Sequence, residues 1–277
     1  MSIEQILVLA IVQGLTEFLP VSSSGHLILV PAFTGWSDQG QVTDVMVHVG
    51  SLFAVIAYFW RDCLNLAAGG LELVRGQLTD RAKLAGLILL ATIPALAFGG
   101  LLELTGWSDA MRGVEIVAWN AVIFGVLLYV ADVVGPRIKA MEDIRLPSAL
   151  VIGLAQAVAL IPGTSRSGIT MTAARFMGFR RDEAARFSFL LGIPAIAAAG
   201  LFKGLGALAD DTPFPMDALW AAFFTFFSAI AAIAILMAVV KRTSFLVFVI
   251  YRLALALLLF AMIYDWFPGI LPSLPAS

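Results

Sequence analysis

Two polar segments interrupt an otherwise apolar chain and hold residue types that act together in phosphoryl-transfer chemistry. Their candidate residues are Glu17, Ser22, Ser23, Ser24, Gly25 and His26 in EFLPVSSSGHL (17–27), and Thr164, Ser165, Arg166, Ser167 and Gly168 in PGTSRSG (162–168). A hydroxyl can attack or position water, an imidazole can move its proton, and an arginine with backbone N–H groups can hold the developing charge. The two segments therefore predict one site for a phosphate-bearing anion.

Several roles follow from the chemistry of single residues. Glu17 is the only acid in the two segments, which makes it the natural anchor for a divalent cation that bridges phosphates. Gln13 lies four residues earlier and shares a helix face with Glu17. Arg166 offers a planar fork of N–H donors that suits phosphate. Serines that precede a helix cap it, and the free N–H groups of its first turn attract anions.

Each of these residues also has a plainer interpretation. Glu17 and Arg166 could form a buried ion pair that only locks two parts of the chain together, and the serines could only cap helices. His26 could be a core histidine, and His48, which lies within an apolar segment, could serve polar packing. The same constellation would also suit the anion site of a transporter, so residue spacing alone leaves these alternatives open.

Composition places the chain in a membrane. Of its 277 residues 61% are hydrophobic and 13% are charged, and the mean hydropathy is +0.97. Soluble domains carry about 25% charged residues. The net charge of −2 offers no basic surface for nucleic acid, and the single cysteine excludes an intrachain disulfide. The chain is therefore predicted to be an integral membrane protein.

Six apolar segments have the length of about 20 residues that a helix needs to cross the bilayer. They cover about 42–60, 84–104, 114–134, 184–206, 217–240 and 245–264. Four shorter pieces, at about 3–19, 26–33, 148–161 and 169–178, form two pairs, each joined by one of the polar segments. Non-helical backbone is tolerated at membrane depth only inside protein or a watery cavity. We therefore expect two re-entrant helix pairs with the polar segments at the floor of a cavity.

The chain also repeats itself. GLTE at 14–17 resembles GLAQ at 153–156, SSSG at 22–25 parallels SRSG at 165–168, and HVGSLFAVIA from His48 matches LLGIPAIAAA from Leu190. Each half contains one re-entrant pair and three spans, so the second half enters the membrane upside down. The prediction is a single all-α membrane domain over 1–277 with an inverted-topology repeat, its halves covering about 1–134 and 148–267.

Charge predicts the orientation. Most of the 17 Lys and Arg residues fall in the loops 61–83, 135–147, 175–186 and 241–242, whereas the loops near 104–114 and 207–217 are acidic. Because cytoplasmic loops carry the excess of Lys and Arg, the basic loops are assigned to the cytoplasm. Both termini and the mouth of the first polar segment then face the outside.

The segments QGLTEFLPVSSSGHL and ALIPGTSRSG resemble the motifs of the undecaprenyl-diphosphatase family, the bacitracin-resistance phosphatases of bacterial inner membranes. The resemblance covers essentially the whole chain. It implies hydrolysis of undecaprenyl diphosphate to undecaprenyl phosphate and inorganic phosphate, with Mg²⁺ or Ca²⁺ required. It also implies a polyprenyl diphosphate lipid as substrate. The orientation predicted from charge then gives a site that faces the periplasm.

Carried onto this chain, the resemblance makes Glu17 the essential acid and the ligand of the cation. Ser22 and Ser23 become the candidate nucleophiles, His26 the proton carrier and Arg166 the phosphate clamp. Gln13 replaces the first acid of the family's acid pair, which puts a two-carboxylate metal site in doubt. The sequence leaves open whether a serine or water attacks, and the oligomeric state, with a homodimer among the options. A polyprenyl-phosphate flippase on the same fold is the alternative function.

Overall fold

The computed structural model describes residues 1–37, 39–107, 111, 113–209 and 215–268, and within them it forms α-helices and no β-strand. The helices are α1 (Ile3–Phe18), α2 (Ser23–Thr34), α3 (Gln41–Tyr58), α4 (Trp60–Val74), α5 (Asp80–Thr105), α6 (Val114–Val134), α7 (Leu146–Val158), α8 (Arg166–Phe176), α9 (Arg181–Ala209), α10 (Met216–Arg242) and α11 (Leu246–Ile263). The predicted acidic loops near 104–114 and 207–217 fall partly outside the described residues.

The prediction of a multi-pass all-α membrane protein is confirmed. Five helices are long and apolar enough to cross a bilayer, namely α5, α6, α9, α10 and α11. The sixth predicted span, 42–60, corresponds to α3, which meets α4 at an angle of 91°. Large apolar side chains such as Ile123, Phe223 and Phe227 are exposed on the outer surface, as expected for contact with lipid tails.

The stretch 61–83, expected to be a loop, instead contains the helix α4. One side of α4 packs on α5, where Gly69 lies against the backbone of Arg81. The other side exposes Leu64 and Leu71. Packing on a neighbouring helix stabilises a helix of this length, so the assignment of 61–83 as a loop between spans was wrong.

The two short helix pairs are present, but their second helices begin earlier than predicted. The expected starts were near His26 and Ile169, whereas α2 begins at Ser23 and α8 begins at Arg166. Leu19 before Pro20 is extended, as expected where proline follows. The earlier starts place Arg166 and Ser23 in the first turns of their helices rather than in the segments that join the helices of each pair.

The first helix of each pair packs on a long helix through a glycine, in the same way in both pairs. Gly14 of α1 lies against α10, where an added Cβ would come within 2.7 Å of the Ala229 backbone nitrogen. Gly153 of α7 lies against α5, where a Cβ would come within 2.4 Å of the Ala91 carbonyl oxygen. Only glycine permits such close helix contacts. The inverted orientation of the two repeats stays a prediction.

A buried charge cluster fixes the ends of α6, α8 and α9. Asp132 accepts hydrogen bonds from Arg175 Nε at 3.2 Å, from Arg181 Nε at 2.6 Å and from the backbone N–H of Phe245 at 3.1 Å. Arg175 is fully buried and also donates to the carbonyl oxygen of Gly135 at 2.7 Å. The assignment of Arg175 to a loop was therefore wrong, because it lies in the last turn of α8 with its charge compensated inside the protein, while the cytoplasmic position of this helix end stays a prediction.

Candidate active site

The two polar segments share one local backbone geometry. Ser22 is the N-cap of α2 with φ of 77°, and Ser165 is the N-cap of α8 with φ of 75°. Each hydroxyl accepts from the backbone N–H three residues on, Gly25 at 3.4 Å and Gly168 at 3.1 Å. A positive φ is strained for serine and tends to occur at functional sites. The residue that caps α2 is therefore Ser22, while Ser24 lies within the first turn of the helix and is exposed.

Arg252 of α11 joins the two polar segments. Its guanidinium is buried and donates to five carbonyl oxygens, those of Pro20, Asn120, Ala121, Gly163 and Thr164, at 2.8–3.3 Å. Broken helices leave carbonyl groups without partners, and in a membrane each must be satisfied by protein. The sequence shows Arg252 only as a charge inside an apolar helix, and its position between the two segments appears only in the structure.

The centre of the site is the carboxylate of Glu17, which is 6% exposed. Its Oε2 accepts from Ser23 Oγ at 2.6 Å and from Gln13 Nε2 at 3.1 Å. Its Oε1 accepts from Arg166 NH2 at 3.2 Å, across 149 positions of the chain. A hydroxyl that donates to a carboxylate is placed for removal of its proton. The structure thus brings together an acid, a hydroxyl and a guanidinium from both polar segments.

Arg166 is held by α9 as well as by Glu17. Its NH1 donates to the carbonyl oxygen of Ser188 at 3.1 Å, and its guanidinium lies where a side chain at Gly192 would otherwise sit. The buried Nε has no hydrogen-bond partner among the described residues. An N–H donor in that position suits an anionic ligand, since a buried donor without a partner is costly.

The predicted serine and threonine positions differ in their surroundings. Ser22 and Ser165 are buried caps, and Ser167 Oγ donates to the carbonyl oxygen of Leu19 at 3.0 Å. The Thr164 hydroxyl is buried without a described partner. Of the two candidate nucleophiles only Ser23 donates to Glu17, so the geometry favours Ser23 over Ser22.

Both ring nitrogens of His26 contact groups other than Glu17. Its Nδ1 lies 2.7 Å from the Ser22 carbonyl oxygen and its Nε2 lies 2.6 Å from the Tyr251 hydroxyl. The His26 and Tyr251 rings stack with centroids 5.7 Å apart. Tyr251 belongs to no motif and lies 225 positions away, so no local signal identified it. The imidazole closest to the carboxylate is His48, whose Nε2 is 3.6 Å from Glu17 Oε2.

The oxygen atoms of Glu17 and Gln13 suit one divalent cation that would also bind a phosphate. The described residues contain no group of three or more His, Cys, Asp and Glu side chains able to hold a metal. Glu17 supplies one carboxylate, and the buried Oε1 of Gln13 accepts no hydrogen bond from any described residue. Mg²⁺ is held in such sites by one or two carboxylates together with substrate phosphates.

Fold and site define an integral membrane protein with a buried acid, hydroxyl and guanidinium where two broken helices meet. The chain belongs to the family described as bacitracin resistance protein BacA, which matches residues 6–258, and the predicted family is thereby confirmed.

Several relatives are similar over nearly their whole length. The undecaprenyl-diphosphatase of Ruegeria pomeroyi is 49% identical over 96% of this chain and 100% of its own. The undecaprenyl-diphosphatase of Jannaschia sp. is 49% identical over 95% of this chain and 100% of its own. The protein of the same name from Erythrobacter litoralis is 45% identical over 94% of this chain and 99% of its own.

Proposed function

We propose that the chain hydrolyses undecaprenyl diphosphate to undecaprenyl phosphate and inorganic phosphate. The family and its relatives named undecaprenyl-diphosphatase support this proposal. The observation that carries it is the 2.6 Å contact from Ser23 Oγ to Glu17, beside the guanidinium of Arg166. The reaction would recycle the carrier lipid of cell-wall synthesis and confer resistance to bacitracin.

Each of the three side chains has one task in this reaction. Glu17 accepts the proton of the attacking group, which is either the Ser23 hydroxyl or a water molecule that Ser23 positions. The bond between the terminal phosphorus and the bridging oxygen breaks, and undecaprenyl phosphate leaves with that oxygen. If water attacks, inorganic phosphate forms directly; if Ser23 attacks, its oxygen keeps the phosphoryl group until a water molecule displaces it as inorganic phosphate and the serine regains its proton. Arg166 donates to the terminal phosphate oxygens and stabilises the charge that develops on them.

A divalent cation, Mg²⁺ or Ca²⁺, is part of the proposal. Glu17 and the orphaned amide oxygen of Gln13 would hold it. Bound there, the cation would neutralise phosphate charge during the displacement. The chain's own contribution is to keep the carboxylate ionised and fixed, which the donors from Ser23, Gln13 and Arg166 accomplish.

The active site is proposed to open to the periplasmic side of a bacterial inner membrane, because the loops on the opposite side carry most of the Lys and Arg residues. Ser24 is exposed and provides a probe. A single cysteine at Ser24, in a Cys63→Ser background, should react with a membrane-impermeant thiol reagent in intact spheroplasts, and a substrate diphosphate should protect it. Labelling only in inside-out vesicles would reverse the orientation.

Phosphate release from undecaprenyl diphosphate by the purified chain in detergent tests the function. Ser23→Ala should lose far more rate than the matched variant Ser24→Ala, because only Ser23 donates to Glu17. His26→Ala should fall by about 10²–10⁴-fold if its imidazole carries a proton. Equal, mild losses at the serines would indicate attack by water. Lipid movement between leaflets without phosphate release would favour the flippase.

The ion-pair interpretation makes a separate prediction. If Glu17 and Arg166 only stabilise the fold, Glu17→Gln and Arg166→Gln should each misfold and the double variant should recover both folding and phosphate release. If they act on substrate, Arg166→Lys should fold and lose most of its activity, because lysine lacks the bidentate fork. Retention of more than about half the activity by Arg166→Lys would show that a point charge suffices.

A further inference from the structure

His48 of α3 has an unusual relation to the carboxylate of Glu17. Its Nδ1 lies 2.6 Å from the carbonyl oxygen of Asp44, and because a carbonyl can only accept, Nδ1 carries a proton. Its Nε2 then faces Glu17 Oε2 at 3.6 Å. In a neutral ring, this arrangement sets the Nε2 lone pair against a carboxylate oxygen, and neither atom has a proton to share.

A second acceptor without a donor lies at the same carboxylate. Gln13 is fully buried, and its Nε2 donates to Glu17 and to Ser51 Oγ. Its Oε1 has no hydrogen-bond partner among the described residues. An imidazole nitrogen of α3 therefore faces a carboxylate oxygen of α1, and the side chain of Gln13, which contacts the same carboxylate, carries an amide oxygen without a partner. A cation could use all three as ligands.

We propose that His48 Nε2 is a ligand of the divalent cation, together with Glu17 and with Gln13 through its amide oxygen. A histidine that binds a metal through one ring nitrogen almost always donates its other N–H to a carboxylate or a backbone carbonyl, as His48 does to Asp44. Ligand distances of about 2.0–2.2 Å place two ligands of one ion about 3–3.5 Å apart. The observed 3.6 Å separation needs an adjustment of only tenths of an ångström.

The imidazole changes which ion the site prefers. Carboxylate and carbonyl oxygens alone suit Mg²⁺ and Ca²⁺, whereas imidazole nitrogen favours transition ions, and Mn²⁺ accepts both kinds of ligand. The mixed set of one nitrogen and two oxygens therefore predicts tighter binding of Mn²⁺ than of Mg²⁺ or Ca²⁺. In this arrangement His48 supplies a ligand that compensates for the glutamine at position 13, where the family pattern can have an acid. Only the use of the cation in catalysis rests on the proposed phosphatase function, while metal binding itself does not.

Electron paramagnetic resonance of Mn²⁺ added to the purified full chain in detergent tests the proposal. The bound ion should show modulation from a directly coordinated ¹⁴N nucleus. His48→Gln should remove this modulation and weaken Mn²⁺ binding at least tenfold. The matched control is His26→Gln at the chain's other histidine, which should keep both the modulation and the affinity. Gln13→Glu, which adds a carboxylate, should tighten binding at least tenfold.

A measurement on the unsubstituted chain covers the case in which His48→Gln does not fold. Growth with ¹⁵N-labelled histidine should convert the ¹⁴N modulation to that of ¹⁵N. Mn²⁺ that does not bind, that binds without nitrogen modulation, or that keeps ¹⁴N modulation after labelling would each overturn the proposal. In those cases a proton rather than a metal lies between His48 and Glu17. Bound Mn²⁺ with nitrogen modulation but no phosphate release would instead refute only the proposed function.

Discussion

Replacement of Gly192 by alanine should displace the guanidinium of Arg166 without touching its charge. A Cβ at Gly192 of α9 would lie 2.1 Å from Arg166 NH1, 2.5 Å from Cζ and 2.8 Å from NH2. Ordinary contacts are about 3.5 Å, so NH1 must retreat by about 1.4 Å. A long flexible side chain can do this while the backbone of α9 stays in place, which makes the perturbation local.

The expected result separates activity from stability. A misplacement of about 1 Å at a catalytic group can cost about 10²-fold in rate, or about 2.7 kcal/mol of transition-state stabilisation. In contrast, Gly→Ala within a helix should stabilise the helix by about 0.5–1 kcal/mol. Gly192→Ala should therefore lower kcat/KM for phosphate release while the thermal unfolding temperature is unchanged or raised.

Two further variants make this prediction refutable. Gly200→Ala lies on the same helix, where a Cβ would meet only Val49 Cγ2 at 3.5 Å, and it should keep full activity. In an Arg166→Ala background, Gly192→Ala should cause no additional loss, because the group that it displaces is absent. If Gly192→Ala alone retained kcat/KM within about threefold, the position of Arg166 would not matter for catalysis.

Three other predictions concern stability, each measured by unfolding of the purified chain in detergent. Arg252→Met should cost at least about 3 kcal/mol, because several buried carbonyl groups lose their donor, and an unchanged unfolding temperature would contradict this. Asp132→Asn should cost about 3–5 kcal/mol, since Arg175 and Arg181 stay buried without a counter-charge, while phosphate release per folded molecule stays the same. Ser22→Ala should be less stable than Ser22→Gly by about 1 kcal/mol, because glycine tolerates the positive φ, and the reverse order would refute the strain argument.

The sequence alone was sufficient for features that depend on neighbouring residues. Apolar length predicted the membrane spans, because the cost of exposing a polar backbone to lipid acts on each helix separately. The proline and serine signals located both helix breaks, although α2 and α8 begin three residues earlier than expected. The residue types of the polar segments also indicated a site for a phosphate-bearing anion, whereas the choice between hydrolysis and transport depended on the resemblance to a known family.

Only the tertiary structure decided which of these residues meet. Glu17 contacts Arg166, which is 149 positions away in the sequence, and His26 contacts Tyr251, which is 225 positions away. His48 contacts Glu17 from a different helix. Such contacts depend on how helices pack, and packing is set by the summed fit of many side chains rather than by any local pattern. Helix packing also explains Arg252, which no local pattern connects to either polar segment. In the folded chain its guanidinium donates to carbonyl oxygens of both segments.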